Sequence, residues 1–217
     1  MDAAALRLAN RVLGNPAEAA TIEVSLGGLE GEAEGGASGV AVVGGGCDLR
    51  LDERALPPAV AATLEPGSQL TIRAGARGTW AYLAVAGVID LTPVLGSRST
   101  HTRSHLGGLE GRGLRAGDRL AVLGARRGPE GTAAIETSAL EAYRGSIRVM
   151  LGPQEDHFER AAIEAFLATE WRLAPRSDRM AYALEGPPLA HAKGHDIVSD
   201  AVAHGAIQVP GSGLPFV

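Results

Sequence analysis

The sequence predicts a mainly β fold with a few helices, and three observations lead there. Glycine supplies 30 of the 217 residues, about twice its usual ~7% share, with no collagen-like period. Short runs of strand formers alternate with period two between turn residues. Helical periodicity is confined to two stretches. A fibre, a coiled coil and a disordered acidic tail are excluded.

The first helix is expected over Met1–Gly14. Leu6, Ala9 and Leu13 fall at i, i+3 and i+7, joined by Ala5 and Val12 on one apolar face. Asp2 is placed to cap the first turn, and Gly14-Asn15-Pro16 supplies the stop. Strands follow at Thr21–Leu26, Leu70–Arg73 and Thr79–Val85, each bounded by turns such as Gly27-Gly28, Pro66-Gly67 and Gly87. Pro66–Leu70 and Ala116–Leu120 read as one device used twice, a tight turn feeding a strand. The pentapeptide Gly-Gly-Leu-Glu-Gly also occurs twice, at Gly27–Gly31 and Gly107–Gly111, which does not by itself establish a duplicated fold.

The stretch Gly124–Ser138 is polar, glycine-rich and without sustained period, and reads as a surface linker. It divides the chain into a first domain over residues 1–124, a linker over 125–145 and a second domain over 146–217. The second opens with a strand at Ser146–Leu151, turns at Gly152-Pro153 and continues into a helix over about Glu155–Thr169. Phe158, Ala162, Ala165 and Phe166 share one face of that helix. The chain stops on Leu214-Pro215-Phe216-Val217, apolar residues just after a turn, so the coding segment is expected to be cut short.

Charge narrows the function. The chain is 45% hydrophobic and 21% charged with net charge −5, and its pI is about 5.7 with a mean hydropathy of +0.06. Nothing in that balance would neutralise a phosphate backbone, so nucleic acid is excluded as a partner. Nineteen of the twenty basic residues are arginine and Lys193 is the single lysine, which leaves almost no lysine for Schiff-base, P-loop or carrier roles. Cys47, the only cysteine, cannot form an internal disulfide, in keeping with a reducing compartment. No charged-then-apolar leader opens the sequence and no apolar run approaches the ~20 residues that span a bilayer. The expected location is cytoplasmic, without membrane association.

Three polar clusters are candidate sites. The densest is Gly96-Ser97-Arg98-Ser99-Thr100 with Arg103, Ser104, Gly107, Gly108, Gly111 and Arg112. Guanidinium forks suit carboxylate, carbamate or ureido oxygens, and glycines let backbone amides approach a ligand. The same residues also suit a solvated loop with capping hydroxyls. The stretch is neither a P-loop nor a nucleophile elbow. The second cluster, Ser177-Asp178-Arg179-Met180 with Tyr182 and Glu185, reads as a substrate clamp or as a structural ion pair. In the third, Ser199 and Gln208 are hydrogen-bonders for an amide-like substrate, or Ser199 and Asp200 cap a short turn. His101/His105 and His191/His195 stand at i, i+4, a spacing that suits zinc on a helix. Both pairs lie among turn residues, and no metal is expected.

A family resemblance then enters on particular motifs. The run Leu83–Asp90 through Val94-Leu95-Gly96-Ser97-Arg98-Ser99-Thr100 resembles the hallmark of the biotin-dependent carboxyltransferase family. Its continuation Gly107-Gly108-Leu109-Glu110-Gly111-Arg112 to Gly117-Asp118 resembles it too. That family includes the allophanate hydrolase subunit 2-like proteins, the C subunit of bacterial 5-oxoprolinase and the carboxyltransferase domain of urea carboxylase. Leu8-Ala9-Asn10, Gly152-Pro153, Ser177–Met180 and Gly205–Pro210 match collinearly. The resemblance implies two cyclophilin-like β-barrel subdomains, the second incomplete, with a chain shortened at both ends. It implies a groove lined by Ser97, Arg98, Ser99, Thr100 and Arg112 from the first half, and by Arg179, Met180, Ser199 and Gln208 from the second. Arg98, Arg179 and Gln208 carry the expected catalytic roles, and Ala181 and Asp200 depart from the family's usual Gly and Glu.

The leading expectation from the resemblance is one subunit of an ATP-dependent 5-oxoprolinase-type complex, opening 5-oxoproline to glutamate and active only with A-type and B-type partners. No cofactor is bound covalently; ATP is handled by a partner subunit, because this chain has no phosphate-binding lysine loop. One alternative is biotin-dependent carboxyl transfer to a urea-like acceptor. Lys193 lies in Ala-Lys-Gly, unlike a biotinyl carrier, so biotin would arrive on a partner. The other alternative is a non-catalytic protein that sequesters a kinase inhibitor.

Overall fold

In the computed structural model, residues 2–73, 75, 79–140 and 146–217 are described. Met1 of the expected first helix and residues 141–145 of the expected linker lie outside them. Helix α1 (Ala3–Val12) begins where expected, because the Asp2 carboxylate accepts hydrogen bonds from the Ala4 and Ala5 amides at 3.1 and 2.9 Å. It ends at Leu13, with Gly14 in the left-handed region at φ +68°. Strands follow as β1 (Ile22–Val24), β2 (Leu29–Glu32), β3 (Ser38–Gly44), β4 (Asp48–Leu51), β5 (Arg54–Leu56), β6 (Val60–Leu64), β7 (Gln69–Arg73), β8 (Ala81–Val85), β9 (Val88–Ile89), β10 (Val122–Leu123) and β11 (Thr132–Ala134). Beyond them come α2 (Arg160–Ala168), β12 (Arg172–Leu173) and β13 (Leu184–Glu185). The chain is therefore mainly β with two α-helices, as its composition predicts. No helix among the described residues is long and apolar enough to cross a membrane.

Two compact units are present, Met1–Arg144 and Gly145–Val217. In the first, a five-stranded sheet has the order β1-β8-β3-β6-β11 and a four-stranded sheet the order β2-β7-β4-β5, every pairing being antiparallel. Strand alternation sorts the two faces of the larger sheet. Val40 and Val42 of β3 pack with Val60, Leu64 and Leu83 against Leu49, Leu70 and Ile72 of the smaller sheet. The intervening Ala41 and Val43 pack with Ala61, Tyr82 and Ala84 beneath Ala5 and Ala9 of α1. Helix α1 is also tied by polar contacts, since the Tyr82 hydroxyl accepts from the Asp2 amide and donates to Glu23, both at 2.8 Å. Burial, then the neighbouring Glu23 carboxylate, pushes the Tyr82 phenol well above its ordinary range.

The repeated turn device is real. Ser68 N–H donates to Glu65 O and Asp118 N–H to Arg115 O, at 2.9 and 3.1 Å. Gly67 and Gly117 take φ +84° and +89° at the third position, as a type II turn requires. The repeated pentapeptide behaves differently. Its first copy runs from a turn into β2, whereas the second has Gly107, Gly108, Glu110 and Gly111 all at positive φ. It is no structural repeat.

Two differences from the sequence reading have one cause, which is that strand partners are distant in sequence. Part of the stretch read as a linker is strand β11, paired with β6 at Thr132↔Ala62 through Ala134↔Val60. Conversely, Ser146–Leu151 forms no strand; Ile147 and Met150 are 89% and 94% exposed there, and no strand among the described residues pairs with them. The helix expected over Glu155–Thr169 splits into a 3-10 turn at Glu155–His157 and then α2. Phe158 between them is extended and stacks on the His191 ring at 5.0 Å. The second unit, expected as an incomplete barrel, carries the β12–β13 ladder and isolated bridges.

Ile72 is fully buried between the two sheets of the first unit. Ile72→Ala is expected to lower unfolding free energy by about 2–5 kcal/mol, read as a shift of the urea midpoint at unchanged slope.

Candidate functional site

The first polar cluster lies on a single excursion from the first unit. Strands β9 and β10 pair at Ile89↔Val122 and Val88↔Leu123, and Asp90 N–H donates to Ala121 O at 2.9 Å. This two-stranded stalk carries residues 91–120. Val94 and Ser97 exchange both backbone hydrogen bonds, at 2.8 and 3.0 Å, around Leu95 and Gly96 at φ +51° and +77°. Two consecutive left-handed residues make this a tight hairpin of the type I′ kind. Leucine is an unfavourable residue for that conformation, and Leu95 is also 95% exposed.

Ser97 and Arg98 follow that turn directly. The Ser97 hydroxyl accepts from Ser99 N–H at 3.1 Å, and Arg98 Nε donates to Leu91 O at 3.0 Å. The terminal guanidinium nitrogens of Arg98 have no partner among the described residues, so the fork is anchored at its base and open at its tip. Ser99 and Thr100 lie against the second half of the loop. A side chain at Gly107 would meet Ser99 O at 2.2 Å, and one at Gly108 would meet Thr100 Oγ1 at 1.9 Å. Glycine is required there by space as well as by φ.

Arg112 is engaged from within. Its two terminal nitrogens donate to both Asp118 oxygens at 2.7 and 2.9 Å, Nε donates to Glu110 at 3.0 Å, and Nη1 reaches Gly113 O at 3.1 Å. The Arg112 guanidinium, then the Arg115 backbone amide, hold the Asp118 carboxyl at about 2. Arg112 is correspondingly pushed further up by Asp118. In this geometry Arg112 organises the loop that carries the other residues.

In the second unit, Asp178 Oδ1 accepts from Met180 and Ala181 N–H at 2.7 and 3.3 Å, so the turn displays Arg179 and an exposed Met180. Pro215–Val217 run beside Tyr182–Leu184, with Tyr182 N–H on Val217 O at 2.8 Å and Leu184 N–H on Pro215 O at 2.9 Å. Gln208 pairs with Phe216 in both directions at 2.8 and 2.9 Å. The terminal segment thus gathers Gln208 and the Ser177–Leu184 stretch. Ser199 lines an open depression with Gln154, His157, Asp196, Ile197, Val198 and Asp200.

Burial raises the thiol pKa of Cys47, so it is a poor nucleophile. No group of three or more His, Cys, Asp or Glu side chains that could hold a metal ion occurs among the described residues.

A further polar group, not singled out by any motif, sits at the root of the stalk. Asn15 Nδ2 donates to Val85 O at 2.7 Å and to Asn10 Oδ1 at 3.2 Å, while Asn15 Oδ1 accepts from Gly87 N–H at 3.3 Å and Arg126 Nη2 at 2.8 Å. In the sequence, Asn15 reads only as part of a helix stop and Arg126 as linker; no local signal marks either.

The family model described as carboxyltransferase domain, subdomain A and B, matches residues 1–217. The chain belongs to this family. Within it, the chain is 37% identical over 221 residues to the C subunit of the 5-oxoprolinase of Escherichia coli, covering 100% of this chain and 69% of that protein. It is 32% identical over 219 residues to the C subunit of the 5-oxoprolinase of Haemophilus influenzae, with the same coverage. Among solved structures, the urea amidolyase of Kluyveromyces lactis superposes with TM-score 0.81 at 27% identity, over 100% of this carboxyltransferase-family chain and 14% of that one. The family relatives are thus subunits or domains of larger enzymes, and this chain spans only part of each.

Acid sensitivity follows from the Arg112–Asp118 pair. The folded Asp118 carboxyl titrates at about 2, below the ordinary ~3.9. Its stabilising contribution is therefore complete above about pH 4 and lost as pH falls towards 2. Amide protection factors at residues 112–118, exchange rates taken relative to the unstructured chain at the same pH, should fall across that window, and Asp118→Asn should remove the pH-dependent step.

Proposed function

We propose that this chain is the C-type member of an ATP-dependent 5-oxoprolinase complex, working in the cytoplasm with A- and B-type partner subunits to open 5-oxoproline to glutamate. What carries the reading is the match of the whole chain to two 5-oxoprolinase C subunits, at 37% and 32% identity.

The substrate is a five-membered lactam bearing a carboxylate. Its hydrolysis breaks the ring C–N bond, adds the oxygen of water to the carbonyl carbon and leaves the nitrogen as an amine. The resonance-stabilised lactam is a poor electrophile, and ATP on a partner subunit supplies the activation. This chain's part is recognition and orientation. The open fork of Arg98, fixed through Nε on Leu91 O, suits the substrate carboxylate. Ser97, Ser99 and Thr100 offer hydroxyls on the same loop, with Arg112 holding that loop in shape. In the second unit Arg179 and Gln208 are the proposed polar ligands, with Met180 and Ser199 as further substrate contacts. The loop hydroxyls act here as hydrogen-bonders, and no covalent intermediate on this chain is invoked.

The structural likeness to urea amidolyase favours one second reading, carboxyl transfer to a urea-like acceptor with biotin carried by a partner. The deciding experiment measures ATP-dependent glutamate release from 5-oxoproline by A- and B-type subunits with and without this chain. Release only in its presence is expected. Arg98→Ala should reduce kcat/KM by roughly 10- to 100-fold, the loss of a charge-assisted contact worth about 1.5–3 kcal/mol. Release independent of the chain would overturn the reading; carboxylation of urea from a carboxybiotinyl partner would favour the second.

A further inference from the structure

We infer that Asn15 and Arg126 form a side-chain clamp on the root of the β9–β10 stalk and act as positioning residues for the 91–120 loop. The loop is attached where the chain leaves the buried sheet. Strand β8 belongs to that sheet, but the chain turns away from it at Ala86-Gly87 and returns through Val122–Arg126. Any tilt at that root is carried outward to Ser97, Arg98, Ser99 and Thr100.

The root is unusually constrained. Gly87 has φ +147°, and a side chain there would lie 2.7 Å from Val122 Cγ1 and 2.8 Å from Leu123 O. The outgoing and returning strands therefore meet in direct backbone contact. Arg126 N–H donates to Ala86 O at 2.8 Å and Gly39 N–H to Arg126 O at 2.7 Å. Over this backbone strap lies the side-chain layer. One carboxamide, on Asn15, takes both Val85 O and Gly87 N–H, the groups flanking the turn. Arg126 Nη2 then bridges Asn15 Oδ1 at 2.8 Å and Leu13 O at 3.1 Å, joining the returning strand to the end of α1. Asn10, fully buried, braces Asn15 and is itself anchored on Ala19 O at 2.8 Å. A carboxamide with its donors and acceptor all used, at 9% exposure, costs desolvation unless each bond is made. Asn15 therefore holds one orientation, and the stalk with it.

The link to substrate rests on the proposed function, but the clamp itself can be tested without turnover. Hydrogen exchange is compared for wild type, Asn15→Ala, Arg126→Ala and Arg126→Lys. Arg126 is exposed and its backbone strap survives substitution, so Arg126→Ala remains folded even if Asn15→Ala does not. Exchange across residues 88–123 should rise about tenfold or more in Arg126→Ala, with β3 and β6 amides unchanged. Arg126→Lys should restore much of that protection, since an ammonium can still donate to Asn15 Oδ1. In the reconstituted complex, Arg126→Ala should raise KM for 5-oxoproline about fivefold or more while kcat stays within about twofold. Unchanged exchange in 88–123, acceleration spread through β3 and β6, or faster exchange with unaltered kinetics would each overturn the inference. If the wild-type complex releases no glutamate, the proposed function fails and the exchange data alone decide the clamp.

Discussion

The first unit depends on burying one sheet on both faces. A sheet covered twice has to supply two kinds of surface from one set of strands, and β3 at its centre does so residue by residue. Val40 and Val42 fill the space against the four-stranded sheet, while Ala41 meets the helix side. Small residues recur on that side, with Ala61 and Ala84 beneath Ala5 and Ala9. They let α1 lie close without a cavity, which close-packed interiors require. The same closeness governs the strap that crosses β3. Gly39 and Gly128 touch backbone to backbone, and a side chain at Gly39 would lie 2.6 Å from Gly128 N.

Because that sheet is fixed, a loop can be built outward from it without a core of its own. Residues 91–120 bury little apolar surface, and their order comes from polar closure. The Val94–Ser97 hairpin, the glycines that lie against Ser99 and Thr100, and the Arg112–Asp118 fork each lock one segment. A division of labour among the arginines results. Arg112 spends its donors inside the loop, whereas Arg98 uses only Nε there, which under the proposed function leaves its planar end for an oxyanion. Leu95 shows the cost of this construction: an exposed leucine in a left-handed turn is locally unfavourable, the kind of strain that persists where a surrounding structure imposes it.

What the sequence makes legible follows the range of the interactions involved. Helix α1, its Asp2 cap and the two type II turns are set by residues within four positions of one another, and all are readable. The 96–112 cluster is readable because glycine and polar side chains concentrate there. Strand β11 is hidden because its partner β6 lies some seventy residues away, and Ser146–Leu151 misleads because strand-like composition creates no partner. Arg112 looks identical in sequence to any other loop arginine; its pairing inside the loop shows only once the turn brings Asp118 back to it. Asn15 is the extreme case. Its importance comes from Val85, Gly87 and Arg126, none of which can be associated with Gly-Asn-Pro before the chain is folded.

The second unit obeys the same economy with fewer means. Among the described residues its buried apolar side chains are Ala162, Ala174, Leu189 and Pro215, too few to fix side chains by packing alone, so backbone pairing with Pro215–Val217 organises its polar patch. That pairing limits what the patch can do. Both backbone groups of Gln208 are used by Phe216, so a ligand at this position can be met only by the carboxamide. The Asp178 carboxylate closes the turn beneath Arg179 by accepting backbone amides. Under the proposed function, the first unit offers the guanidinium of Arg98 and the second the carboxamide of Gln208. Groups of these kinds suit holding an anionic or carbonyl-bearing molecule and stabilising charge on its oxygens. Under the proposed function, the activating phosphoryl chemistry belongs to the partner subunits.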